Sequence, residues 1–325
     1  MKIAVDAMGG DYAPLEVVKG AVKAAQEDQA EVLLVGREDA IKDCLSRLQA
    51  HSDLVSIIHA SQVVECGEPP AAALKARPDS SIAVGLNLVK DGRASAFVSA
   101  GNSGAVMLCA LLTLGKLEGI ERPALGMLYR ATSGAVLYLD VGANADCRPS
   151  FLLQFAQMGN TYMQRLFGIS RPRVALLSNG AEETKGNSLV RESYKLLKES
   201  GLNFIGNVEG HEIPLGKADV VVTDGFTGNV VLKAAEGFSE ALLTSLRQLL
   251  ASRNHYRPAL RAVARWLDYT EYGGVPLLGV KGNVIIAHGR SNARAIRSAI
   301  RTAQRAAAQN VVEATAPLEE RPASP

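Results

Sequence analysis

The sequence predicts a three-layer α/β/α fold built on a mainly parallel sheet. Three observations carry that expectation. Short apolar runs alternate with segments of helical period along the whole chain. Most of these runs stop at a Gly/Asn/Asp loop before a helical pattern begins, as in Val98 to Gly104, Leu139 to Asn144, Leu177 to Asn187 and Val220 to Asn229. No fixed-period repeat and no Ser/Gly-rich linker divides the 325 residues, 47% of which are hydrophobic, so the chain reads as one large core-forming unit.

The expected strands, in order, are Ile3–Val5, Val32–Val35, Val55–Ile58, Ala96–Ser99, Val136–Leu139, Val174–Leu177, Phe204–Ile205, Val220–Thr223 and Val284–Ala287. Between them, Leu15, Val18, Ala21, Val22 and Ala25 recur at helical spacing with Pro14 in a first turn, and a long helix continues through Ala241–Leu250. The α/β domain is expected to span 1–312, with a helical protrusion over 237–272 and a disordered tail from Glu313 to Pro325, which holds three prolines and no apolar period. Within the protrusion Arg257, Arg261 and Arg265 recur every four residues beside Leu260, Val263, Ala264 and Leu267, with Trp266 on the far flank. That pattern reads either as a dimer-forming helical hairpin or as a membrane-surface helix.

Composition excludes several classes. No apolar run has the length of a membrane span; the longest, Ala105 to Leu114, is interrupted by Thr113. Asp6 comes too early for a signal-peptide core, so a cytoplasmic location is expected, with peripheral membrane contact as the open addition. Cys44, Cys66, Cys109 and Cys147 lack metal-ligand spacing and suit reduced thiols. Net charge is +2, yet nine arginines and Lys281 between Arg253 and Arg305 face only Asp268 and Glu271. Such a block marks either a surface for an acidic partner or anionic membrane, or solvated helix faces; Arg290, Arg294, Arg297, Arg301 and Arg305 form a second basic face on the last helix.

In a parallel sheet the strand-following loops share one rim, where glycines admit a ligand to the backbone and helix N-termini favour anions. The expected ligand there is a small anion such as phosphate. No G-x-G-x-x-G follows a strand, and no Walker A loop, H-E-x-x-H or G-x-S-x-G occurs, so nucleotide, zinc-protease and hydrolase-triad chemistry lose their usual signatures. Lys185, just before Gly186-Asn187, is placed to meet a phosphate oxygen or a developing oxyanion, against the alternative of a surface lysine that the helix dipole disfavours. Asn187 and Asn229 offer amide donors, or act as turn and cap residues. His288 reads equally as a proton-handling group and as a packed strand-end histidine. Cys147 has no adjacent base and is expected to be inert. Asp6, Asp11 and Asp224 are expected to position turns rather than to hold a metal, and no cofactor is expected.

Val5-Asp6-Ala7-Met8-Gly9-Gly10-Asp11, Ser99 to Ala105, Leu139 to Asn144, Glu182 to Asn187, Val222 to Asn229 and Tyr272 to Gly279 together resemble the bacterial phosphate acyltransferase (PlsX) family, in order, from near residue 1 to about His288. Ser103 stands where that family often has threonine, which keeps the hydroxyl. The resemblance implies a fold similar to the isocitrate-dehydrogenase-like and phosphotransacetylase enzymes, and transfer of a long-chain acyl group from acyl carrier protein to inorganic phosphate for phospholipid synthesis. It implies a homodimer, peripheral membrane association, and a membrane glycerol-3-phosphate acyltransferase as consumer of the product; nucleic acid is not an expected partner. Direct displacement needs no enzyme nucleophile, because phosphate attacks and a stable thiolate leaves.

On this reading Asn102, Ser103 and Gly104 bind phosphate with Lys185, Asn187 and Asn229 stabilise the oxyanion, and His288 handles a proton. Asp6, Gly9, Asn144, Asp224, Gly225 and Thr227 complete the substrate-binding loops. Arg257, Arg261, Arg265, Leu260, Val263 and Leu267 form the carrier- or membrane-facing surface. The alternatives are a phosphotransacetylase-like enzyme on short acyl-CoA, a decarboxylating dehydrogenase of related fold, and a non-catalytic scaffold.

Overall fold

A computed structural model describes residues 1–50, 52–250, 256–267 and 273–315. Its strands are β1 (Lys2–Asp6), β2 (Glu31–Gly36), β3 (Val55–His59), β4 (Ala96–Ser99), β5 (Ala124–Ala131), β6 (Gly134–Leu139), β7 (Val174–Leu177), β8 (Phe204–Val208), β9 (Val220–Val222), β10 (Val275–Leu278) and β11 (Asn283–Ile286). They form one sheet in the order β3-β2-β1-β4-β11-β10-β5-β6-β9-β7-β8. The nine expected runs match strands to within one or two residues, apart from β8, which continues to Val208. The sequence reading does not include β5 or β10.

Those two strands reorganise the sheet. One group, β3, β2, β1, β4 and β11, is parallel throughout, and so is a second group, β6, β9, β7 and β8. β10 and β5 are antiparallel to each other and to β11 and β6 respectively. Three antiparallel steps make the second group run opposite to the first. The expectation of one shared rim is therefore corrected: the strand-following loops leave two opposite edges. Register still brings two of them close, because Leu139 pairs with Gly126, Leu125 with Leu277, and Pro276 with Ile285. The end of β6 is thus level with the end of β11.

Alternating side chains cover both faces, as period two requires. On one face Ile3, Val5, Val32, Leu34 and Val98 pack under α1 (Leu15–Asp28), α2 (Glu38–Arg47) and α10 (Ala293–Ala308). On that side the second group is covered by α6 (Pro149–Phe167), α7 (Ser188–Glu199) and α11 (Val311–Thr315). The opposite face carries α3 (Pro70–Ala76), α4 (Ser81–Lys90), α5 (Ser103–Thr113) and α8 (Gly225–Leu249). The chain stays helical past Glu313 to Thr315, where a disordered tail was expected; residues 316–325 lie outside the described residues.

α8 fully buries only Gly225 and Gly228, while Phe226, Phe238 and Leu249 are 67%, 73% and 75% exposed. α9 (Arg257–Leu267) packs on it. In α9 Leu260 and Val263 are half-buried; the side chains of Arg257, Arg261, Arg265, Trp266 and Leu267 lie outside the described residues, as does Tyr272. The last-helix arginines do not form one free basic face: Arg297 holds Asp28 with two bonds of 2.7 and 2.9 Å and also pairs with Glu27, and Arg305 donates to the Leu166 carbonyl at 2.7 Å. Among the described residues no helix is long and apolar enough to cross a membrane.

Candidate active site

Between α5 and α8, over the central antiparallel strands, lies a cleft of about 410 Å³. Each parallel group contributes its own helix, and neither helix covers the strands between them. Polar groups reach this cleft from four segments: Ser103 and Gly104 after β4, Gly142 after β6, Asn229 and Lys233 on α8, and His288 and Ser291 after β11. The apolar wall is Met107, Leu125, Met127, Val275 and Ile286.

Ser103 and Gly104 open α5, whose first-turn N–H groups have no intrahelical acceptor and carry the positive end of the helix dipole. Asn102 holds that end in place. Its side-chain oxygen caps Ala105 N–H at 3.0 Å, and its amide donates to the carbonyls of Glu65, Cys66 and Glu68 at 3.1, 3.1 and 2.9 Å. Its side chain is therefore spent on structure, and ligand contact at this corner falls to Ser103 and Gly104. Asp6 works below the same loop: its buried carboxylate accepts from Ser99 Oγ at 2.7 Å and Met8 N–H at 3.1 Å, and burial raises its pKa against those donors. Gly9 is required here, since a Cβ would stand 2.5 Å from the Asp6 carboxylate and 2.6 Å from Gly101 N.

Across the cleft Asp140 organises the second corner. This fully buried carboxylate accepts from the N–H groups of Leu125, Gly142, Ala143 and Asn144 at 2.8–3.2 Å, and from the Asn144 amide at 2.9 Å. Burial nonetheless pushes its pKa upward. Asn144 also donates to the Pro123 carbonyl, so it ties the loop rather than facing a ligand. Asp224 caps α8 by accepting from Thr227 N–H and Oγ1, both at 2.8 Å, and Gly225 N–H donates to the Asn144 carbonyl at 2.7 Å. Asp6, Gly9, Asn102, Asn144, Asp224, Gly225 and Thr227, expected in the substrate site, thus build its loops and do not line it.

Asn229 lines the cleft as expected and donates to the Val141 carbonyl at 3.0 Å. His288 also lines it; its Nδ1 accepts from Arg290 N–H at 3.1 Å, which in the neutral ring puts the proton on Nε2. Burial, with Lys233 nearby, lowers its pKa and favours that neutral form. Lys185 and Asn187 do not reach the cleft. They follow β7, which β9 separates from β6; Lys185 is exposed, and the Asn187 side chain caps α7 at Val190 N–H, 3.0 Å away. Cys147 stands apart as well, its thiol pushed up to about 12 chiefly by burial.

Lys233, Glu236, Ser291 and Gly142 line the cleft without having been singled out from sequence. Lys233 follows Asn229 by one helical turn, so i,i+4 spacing was the available signal for it. Lys233 Nζ pairs with Glu236 Oε2 at 2.7 Å. Among the described residues no group of three or more His, Cys, Asp or Glu side chains is placed to hold a metal ion. The cleft therefore offers the start of α5, hydroxyls, an imidazole and an ammonium to an anion, beside an apolar wall.

Residues 1–314 match the family described as "Fatty acid synthesis protein". A protein of Heliobacterium modesticaldum named phosphate acyltransferase is 50% identical over 97% of this chain and 96% of its own length. One of the same name from Moorella thermoacetica is 49% identical over 98% and 96%. Among solved structures, a phosphotransacetylase from Streptococcus pyogenes superposes with a TM-score of 0.66 at 19% identity, covering 96% of this chain and 94% of that one. The EutD phosphotransacetylase from Staphylococcus aureus gives 0.62 at 16% identity, covering 94% of each. These distant likenesses speak for the fold, and the near relatives speak for the family. The chain belongs to the phosphate acyltransferase family.

Proposed function

We propose that this cleft transfers a long-chain acyl group from the thioester of acyl carrier protein to inorganic phosphate, releasing acyl phosphate and the carrier thiol. The observation that carries this reading is the pairing, in one cleft, of the anion-favouring start of α5 with an apolar wall, which suits a reaction joining phosphate to a lipid chain. Phosphate sits against the first turn of α5 at Ser103 and Gly104, with Lys233 and Ser291 supplying an ammonium and a hydroxyl. One oxygen of hydrogen phosphate attacks the thioester carbonyl, the C–O bond forms, and the C–S bond then breaks to release thiolate, which takes up the proton the phosphate gives up to become the carrier thiol. His288 Nε2–H stabilises the tetrahedral oxyanion, and Asn229 holds the backbone of Val141 at the cleft edge. No enzyme nucleophile is required, in keeping with the high pKa of Cys147.

On this reading the enzyme is a homodimer that touches the membrane peripherally and hands its product to a glycerol-3-phosphate acyltransferase. The exposed apolar side chains of α8 support a partner or lipid on that side. The arginines of α9 steer either the acidic carrier or anionic head groups. Charge reversal at Arg261 separates the two: unchanged carrier kinetics with lost liposome binding would reject carrier docking.

The direct test supplies hexadecanoyl carrier protein and phosphate and measures hexadecanoyl phosphate, with hexadecanoyl-CoA and acetyl-CoA in parallel. Phosphate-dependent product from the carrier substrate is the expected outcome. Turnover of acetyl-CoA alone would move the assignment to a short-chain phosphotransacetylase, and no turnover would revive a scaffold.

A further inference from the structure

We infer that the acyl chain runs beneath α8, in a second cavity that adjoins the reaction cleft. This cavity, of about 80 Å³, is bounded by Met127, Tyr129 and Tyr138 on the sheet, by Ile213 and Pro214 after β8, and by the underside of α8. Met127, Leu232 and Glu236 line both spaces, so the two adjoin across these side chains. Chemistry changes from one space to the next: the cleft holds the α5 start, His288 and the Lys233–Glu236 pair, while the cavity beyond Leu232 is nearly all apolar.

The dimensions select the occupant. A helix about 10 Å across does not fit so small a space, whereas the leading methylenes of an extended alkyl chain do. α8 also rests lightly on the sheet here, fully burying only Gly225 and Gly228 at its start, so a chain can enter without dismantling a packed core. The inference rests on the acyl-transfer reading for its choice of ligand. It goes further in naming Ala235 and Ser239, on successive turns of α8 along this cavity, as residues that set how much chain is accepted.

The test compares wild type with Ala235→Phe and Ser239→Phe, both at half-buried helix positions where a larger side chain fills the cavity and not a packed core. Each methylene kept out of an apolar site weakens binding about fourfold, so a ring that excludes two or more lowers the hexadecanoyl-to-butanoyl rate ratio by about tenfold or more. Affinity for cis-parinaric acid, a fluorescent fatty acid read without turnover, falls in step. Ser239→Phe, one turn further along, gives the smaller loss. A wild-type rate ratio and wild-type parinarate affinity in both variants would overturn the inference, as would equal losses for the long and short donors. If wild type binds parinarate, loses it on Ala235→Phe and yet transfers no acyl group to phosphate, the chain site stands and the transfer reading falls.

Discussion

Lys233 and Lys185 put the residue-scale assignment to a direct comparison. Lys233 brings its ammonium to the cleft, and a hydrogen bond to a charged group contributes about 1.5–3 kcal/mol, so Lys233→Ala should raise the KM for phosphate by about tenfold or more. Lys185, exposed two strands away, should change the same constant by less than about threefold on replacement by Ala. Steady-state kinetics with phosphate varied decide it, and the reverse order would return the anion site to the loop after β7. His288 gives a second prediction. Its pKa is lowered from 6.5 by burial first and Lys233 second, so its NMR titration midpoint should lie below 6.5 and the neutral ring should persist into mild acid. The unfolded chain takes up this proton first as pH falls, so the stability tied to His288 is complete above about 6.5 and declines from there toward the folded value. If His288 donates to the oxyanion as proposed, His288→Ala should lower kcat on the order of 100-fold.

At the scale of elements, the cleft depends on how helix ends are pinned to neighbouring loops. Asn102 is both the N-cap of α5 and the donor to three carbonyls of the 65–68 segment. Asn102→Ala should cost about 1–3 kcal/mol, seen as a lowered thermal midpoint and as faster amide exchange at Ala105. Gly228 plays the equivalent part for α8, since an added Cβ would fall 1.8 Å from the Asp140 carbonyl oxygen. Backbone cannot yield by that much without tilting the helix, so Gly228→Ala should lower both stability and activity. A variant with wild-type melting and turnover would show that α8 docks elsewhere.

For the molecule as a whole, the contact between the chain's first and last long helices makes acid stability predictable. Asp28 on α1 has its pKa lowered from 3.8, first by the hydrogen bond from Arg297 on α10. A depressed carboxylate gives stability that is present above the unfolded value and lost as pH falls through the folded one. Asp28→Asn should therefore be less stable than wild type at neutral pH and lose less on acidification below about 4, measured by denaturant unfolding across pH. Parallel curves for the two proteins would remove Asp28 from the acid transition. Buried Asp6 and Asp140, whose pKa values are raised, act in the opposite sense: their stabilising share is present at low pH and lost as pH rises through their folded values.

Much of this protein is readable from its residues, because apolar runs and helix starts are local properties. The nine runs from Ile3–Val5 to Val284–Ala287, the caps at Asn102, Asn187 and Asp224, and the glycine-rich loops all follow from spacing and side-chain chemistry within a few residues. The strands β5 and β10 escape that reading: Gly126 and Arg130 interrupt the first, and Pro276 sits in the four-residue second, where proline argues against a central strand. Each pairs with its sequence neighbour, β6 or β11, and only the long-range β5–β10 pair sets both in the middle of the sheet. Since they reverse the direction of half the sheet, only tertiary pairing decides which loops meet. Sequence therefore determined the fold class, the family and the loop chemistry. The tertiary structure moved Lys185 and Asn187 away from the cleft, and brought Lys233 and Ser291 to it beside His288 and Asn229, because which strand ends meet depends on the β5–β10 pairing, between residues more than a hundred positions apart.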